Sequence, residues 1–96
     1  SELSAAMRRL AQRPTDIDAL LRAGNASLAL RDTGAAAGFF ARAAAVAPGD
    51  ARVLIGQGRV ALEQRRPVDA LQAFALAEQA GARAQDMAAD RALAYD

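Results

Sequence analysis

The chain has 96 residues, enough for one small domain, and 28 of them are alanine, with no tryptophan, cysteine, histidine or lysine. Twelve arginines stand against eleven acids, a formal charge of +1, too balanced for the clustered basic face of a nucleic-acid-binding protein. Zero cysteine excludes disulfides and thiolate metal sites, and no run of 18 or more apolar residues offers a bilayer span. Alanine and arginine favour helix, so the expected class is all-α.

Six helices are read in chain order. Residues 2–13 carry Leu3, Met7 and Leu10 at i, i+4 and i+7, an amphipathic helix stopped by Pro14. Thr15 or Asp16 caps a second helix over 17–30, with Thr15 and Asp18 spaced like a capping box. Asp32 or Thr33 caps a third over 34–46, ended by Pro48 and Gly49. Asp50 caps a fourth over 51–64. Pro67 opens a fifth over 67–80 from its first helical position, and Gly81 stops it. The sixth covers 85–95. No basic-then-apolar signal segment opens the chain, and Ser1 in place of methionine suggests a processed protein or an excised fragment.

The sequence repeats at a spacing of 34 residues. Leu20 recurs as Leu54, Gly24 as Gly58, Ala36 as Ala70, Phe40 as Phe74 and Ala43 as Ala77; Pro14 and Asp16 recur as Pro48 and Asp50. Small residues let two helices approach to about 8 Å. Gly24 is therefore expected against Ala36, and Gly58 against Ala70. Phe40 and Phe74 are expected to fill the space between one helix pair and the next. This order of large residue, glycine, alanine, phenylalanine, alanine and proline resembles the tetratricopeptide repeat, a 34-residue unit of two antiparallel helices. The resemblance covers 17–50 and 51–84 as complete repeats, 2–13 as a preceding second helix and 85–96 as a first helix, with Tyr95 at the position of the family's first tyrosine. It implies stacked helix pairs in a right-handed superhelix. Departures are Leu20 and Leu54 for the usual aromatic, Ala23 and Gln57 for the second leucine, Ser27 and Ala61 for the first tyrosine, and Ala82 for proline. These losses of volume predict modest stability.

Val53-Leu54-Ile55-Gly56-Gln57-Gly58-Arg59-Val60-Ala61 reads like a strand followed by G-x-G-x-x-A, the dinucleotide-binding turn. That turn needs alternating strands, which the helical pattern does not supply. Packing explains Gly58, and Gly56 is merely permitted. No cofactor or metal is expected. Without histidine, cysteine or lysine there is no imidazole base, thiolate or Schiff-base amine, so no catalytic residue is assigned. Asp86 and Asp90 share a helix face at i, i+4, which suits solvated charge or a partner's basic residue; two aspartates make a poor hard-metal site.

What the resemblance implies instead is a concave groove that receives a peptide or a partner's helix. Its lining would be Asp18, Leu21, Arg22, Asn25 and Leu28, then Arg52, Ile55, Arg59 and Leu62, then Asp86, Ala89, Asp90 and Leu93. An apolar stripe flanked by arginines suits a peptide of some acidic character, and the aspartates at the far end suit a basic residue. A clamp for a C-terminal carboxylate is not expected: only Asn25 matches, while Leu21, Gly56, Asp86 and Asp90 hold the other positions. The competing readings are a structural spacer and a segment self-associating through its uncapped last helix. Loss of binding on Arg52→Glu with Arg59→Glu would mark the adaptor. The alanine–arginine richness without lysine looks like that of a GC-rich bacterial genome, and the wording of the repeats resembles bacterial envelope and pilus-assembly proteins, which leaves cytoplasm and cell envelope both open.

Overall fold

The computed structural model describes residues 1–96 and is all-helical, with six α-helices and no strand. They are α1 (Glu2–Gln12), α2 (Ile17–Ala29), α3 (Thr33–Val46), α4 (Ala51–Glu63), α5 (Pro67–Gln79) and α6 (Ala88–Tyr95). A 3₁₀ turn at Ala84–Met87 precedes α6, so the expected sixth helix is shorter than its pattern and enters through a tighter turn. No helix is long and apolar enough to cross a membrane.

Aspartates set three of the six starts. Asp16 accepts from the Ala19 amide at 3.1 Å, Asp32 from the Ala35 amide at 3.1 Å and Asp50 from the Arg52 amide at 2.8 Å. Each satisfies an orphan donor of the first turn. Thr15 and Thr33 make no cap: Asp16 and Asp32 hold those roles. Pro67 opens α5 without a side-chain cap, its missing N–H falling where no partner exists.

Connections of three or four residues, and a longer one through the 3₁₀ turn before α6, make each helix pack against the next in order. α2 also contacts α4, and α4 contacts α6, whereas α1, α3 and α5 have no comparable contact with one another. The array measures 39 × 25 × 19 Å. Its 5620 Å² of accessible surface exceeds the roughly 5200 Å² typical of a compact chain of this mass. The molecule is an elongated stack of helices, not a sphere.

Two buried clusters run along that stack. The first comprises 11 residues centred on Leu20 and Phe40, and the second six centred on Phe74 and Met87. Ala36, Ala43, Ala70 and Ala77 are fully buried, which lets the helices close on the rings. The nearest neighbour of Gly24 refines one expectation. A Cβ built there meets Phe40 Cζ at 2.6 Å and Cε1 at 2.7 Å, so the ring, rather than Ala36, is its closest facing group. Gly58 faces Phe74 in the same way, ahead of Ala70.

Gly56 is the larger correction. Its hypothetical Cβ would overlap Cε1 and Cδ1 of Phe40 more severely than Gly24's would. The ring of Phe40 therefore lies between α2 and α4 with a glycine on each. Gly56 is required by that ring, not merely permitted. Two further expectations shift. Leu54 is half-buried where Leu20 is fully buried, because Leu54 packs on the edge of the smaller cluster. Tyr95 is 78% exposed and takes no part in the core, since the helices present leave that side of α6 uncovered.

Candidate functional site

A groove of about 430 Å³ lies between α2, α4 and the 3₁₀ turn. Asp18, Leu21, Arg22 and Asn25 line it from α2, Arg52, Ile55 and Arg59 from α4, and Asp86 from the turn. The remaining residues proposed for this surface lie elsewhere. Leu28 is half-buried against the first core cluster. Leu62 packs on the second cluster and, with Leu93, borders a different cavity. Asp90 is half-buried beside Arg59, and Ala89 is exposed on α6.

The charges of the groove are mostly engaged with each other. Asp50 caps α4 and takes the guanidinium of Arg52 in a two-pronged grip, Nε to Oδ1 at 3.1 Å and Nη2 to Oδ2 at 2.8 Å. The other terminal nitrogen of Arg52 donates to Asp18 Oδ1 at 2.9 Å, across to α2. Fork-on-carboxylate geometry of this kind fixes orientation as well as supplying energy. It holds the Asp50 carboxyl below its ordinary value of 3.8, with the Arg52 hydrogen bond the main cause. It also raises Arg52, chiefly through Asp50 and then Asp18. Arg59 donates from Nε to Asp90 Oδ2 at 3.0 Å and joins α4 to α6. Asp86 faces Arg83 at 3.4 Å.

Arg52 and Arg59 therefore act first as ties from α4 to α2 and to α6. Other ties repeat the theme. Arg9 meets Asp16 at 2.7 Å between α1 and the cap of α2, and holds that carboxyl below its ordinary value; Arg91 meets Glu78 at 2.7 Å between α6 and α5. Of the groove's three arginines only Arg22 has no carboxylate partner. It is exposed, with Asn25 one helical turn away and Leu21 and Ile55 bordering the same space.

Comparison with protein-family models, curated proteins and solved structures gives no match. No three His, Cys, Asp or Glu side chains converge in a metal-binding cluster, and Asp86 and Asp90 each face an arginine, not one another's proton. What the site offers is one free guanidinium, one amide and a narrow apolar floor.

Sequence reasoning alone missed three things here. The Arg52–Asp18 pair spans 34 residues, so the repeat spacing itself carried the signal. Asp50 was recognised as a cap but not as the holder of Arg52, although i, i+2 across a helix start allows both. Gly56 gave no signal through the periodicity, because Arg22 and Asp90 occupy its counterparts.

Proposed function

We propose that this chain is a non-catalytic protein-interaction module of tetratricopeptide-repeat type, which receives an extended or helical peptide in the α2/α4 groove. The observation carrying this reading is the unpaired Arg22 beside Asn25, Leu21 and Ile55, in a groove whose other arginines are already neutralised. An exposed guanidinium next to an apolar strip suits one carboxylate of a ligand together with an aliphatic side chain. The architecture supports it: α2, α4 and α6 touch while the other layer does not, which bends a stack toward the α2/α4/α6 side. The 34-residue recurrence of Gly24, Phe40 and Ala43 as Gly58, Phe74 and Ala77 supports the family.

The pairing changes which substitution tests the idea. Reversing Arg52 and Arg59 to glutamate places like charges beside Asp18, Asp50 and Asp90, so it perturbs helix stacking as well as binding. Arg22→Glu reverses a charge that makes no ion pair, its influence on the chain being a weak attraction for the Asp16 carboxylate. Crosslinking capture from the source cell is expected to recover partners with wild type and with Arg8→Glu, on the exposed face of α1, and to lose them with Arg22→Glu. Equal capture by all three proteins removes the groove as the binding surface.

A second reading rests on α6. Leu93 is 65% exposed and Tyr95 78% exposed on a helix with Ala88, Ala89 and Ala92 also uncovered. Such a face favours a further helix or a second copy, as in a spacer or self-associating segment of a larger bacterial envelope assembly. Sedimentation decides it: mass rising with concentration in wild type, and abolished by Leu93→Glu, supports self-association; mass constant at the monomer value refutes it.

A further inference from the structure

Helices α2, α4 and α5 end in the same hydrogen-bonded turn. The amide of Arg31 donates to Leu28 O at 3.0 Å and that of Asp32 to Ser27 O at 2.9 Å. Arg65 and Arg66 repeat this on Leu62 and Ala61, and Gly81 and Ala82 on Glu78 and Ala77. The first residue of each pair takes a left-handed backbone, with φ of 64° at Arg31, 61° at Arg65 and 107° at Gly81. Glycine is favoured there because a Cβ strains that conformation. The third turn uses glycine. The first two use arginine.

The fold makes little use of either guanidinium. Arg65 has no carboxylate partner, and Arg31 meets only Glu63, at 3.5 Å and with its side chain 77% exposed. Attraction of a cation to a helix C-terminus would serve all three turns alike, yet one of them dispenses with it. Both arginines border one open cavity of about 670 Å³, and Gly81 does not. Leu62, Pro67 and the exposed Leu93 form its apolar wall. A strained backbone kept at two positions that share a cavity points to the side chains as the reason.

We propose that this cavity, separate from the α2/α4 groove, docks an acidic segment of a partner polypeptide. A carboxylate sits against Arg31 and Arg65, and a neighbouring aliphatic or aromatic side chain rests on Leu62, Pro67 and Leu93. Guanidinium and carboxylate are matched in shape as well as charge. Glu63 and Asp96 stand in the same wall and leave the lining without net charge, which disfavours a broad anionic surface such as a membrane, whereas a single carboxylate needs only the partnerless guanidinium of Arg65 beside it.

The test is an amide-resonance titration of the full chain with a capped tripeptide of leucine, aspartate and phenylalanine. Saturable shifts are expected at Arg31, Arg65 and Leu93. At least tenfold weaker binding is expected for Arg65→Gly, and for the peptide with asparagine in place of aspartate. Arg65→Gly is also expected to melt no lower than wild type, since glycine suits the turn. The proposal is overturned by absent shifts, by shifts centred on Arg22 and Ile55, by binding that Arg65→Gly leaves intact, or by a lowered melting temperature in that variant. Response to phosphatidylglycerol vesicles and not to the peptide overturns it as well.

Discussion

Phe40 and Phe74 occupy the same place in the 34-residue period and are both fully buried, yet their surroundings differ. Phe40 lies between Gly24 on α2 and Gly56 on α4, inside the 11-residue cluster. Phe74 has Gly58 on one side; the counterpart of Gly56 is Asp90, tied to Arg59, and Met87 completes the six-residue cluster. One ring is gripped by rigid backbone on two helices, the other by backbone on one helix and a flexible thioether nearby. The repeat spacing thus fixes where a ring goes, while the helix that follows decides how tightly it is held.

Removing the rings gives the largest contrast. Truncating a buried phenylalanine costs about 3–5 kcal/mol, less where the surroundings collapse into the gap. Phe40→Ala is expected near the top of that range, because glycine backbone on both sides cannot move in. Phe74→Ala is expected near the bottom, because Met87 is unbranched and fills irregular space. Urea denaturation of the two variants measures the difference. Equal losses would mean the second glycine adds nothing to the grip.

The glycines sharpen the same comparison at smaller scale. Alanine normally gains about 1 kcal/mol over glycine inside a helix, and overpacking a tight core costs about 1–3 kcal/mol. At Gly56 the added methyl runs into Phe40, so Gly56→Ala is expected to destabilise by up to about 2 kcal/mol once the helical gain is subtracted. At Gly38, on α3, a Cβ meets nothing within 4 Å, so Gly38→Ala is expected to stabilise by up to about 1 kcal/mol. Opposite signs from one substitution type, read by thermal melting, would place the steric demand at Gly56. Gains at both sites would show that Phe40 can yield.

The helices were legible because their ends are written in aspartate, proline and glycine, and the rings because their 34-residue spacing is exact in sequence. Gly56 was not legible. Its constraint comes from a ring 16 residues earlier, and its counterparts Arg22 and Asp90 hide it from any comparison of repeats. The groove was legible as a set of positions, with Asp18, Leu21, Arg22, Asn25, Arg52, Ile55, Arg59 and Asp86 brought together. Its electrostatics were not. Arginines that read as free in the sequence find carboxylates on the next helix, and only three-dimensional placement separates Arg22 from Arg52 and Arg59. Tyr95 fails differently: it holds a core position of the pattern on a helix with no neighbour to bury it.

The smallest expected effect concerns acid, and it tests the grip of Asp50 on Arg52 at the start of α4. Asp50 has its folded pKa pushed below the ordinary 3.8, mainly by Arg52, and Asp16 is lowered by Arg9. A carboxyl with a depressed folded value binds its proton more readily when the chain is unfolded, so unfolding takes up protons in acid. The stabilisation is fully present above the unfolded value near 4 and is lost as pH falls through the folded value. Stability is therefore expected to be flat between about pH 5 and 7 as far as these groups are concerned, and to decline below about pH 4. Exposure of Arg52 limits the Asp50 contribution to about 1 kcal/mol or less. Asp50→Asn keeps a good helix cap but removes the charge. It should lower stability slightly at pH 7 and flatten the acid decline, in urea titrations at pH 3 and pH 7. An unchanged acid decline in that variant would move the effect to the Arg9–Asp16 tie, and so from the start of α4 to the contact between α1 and α2.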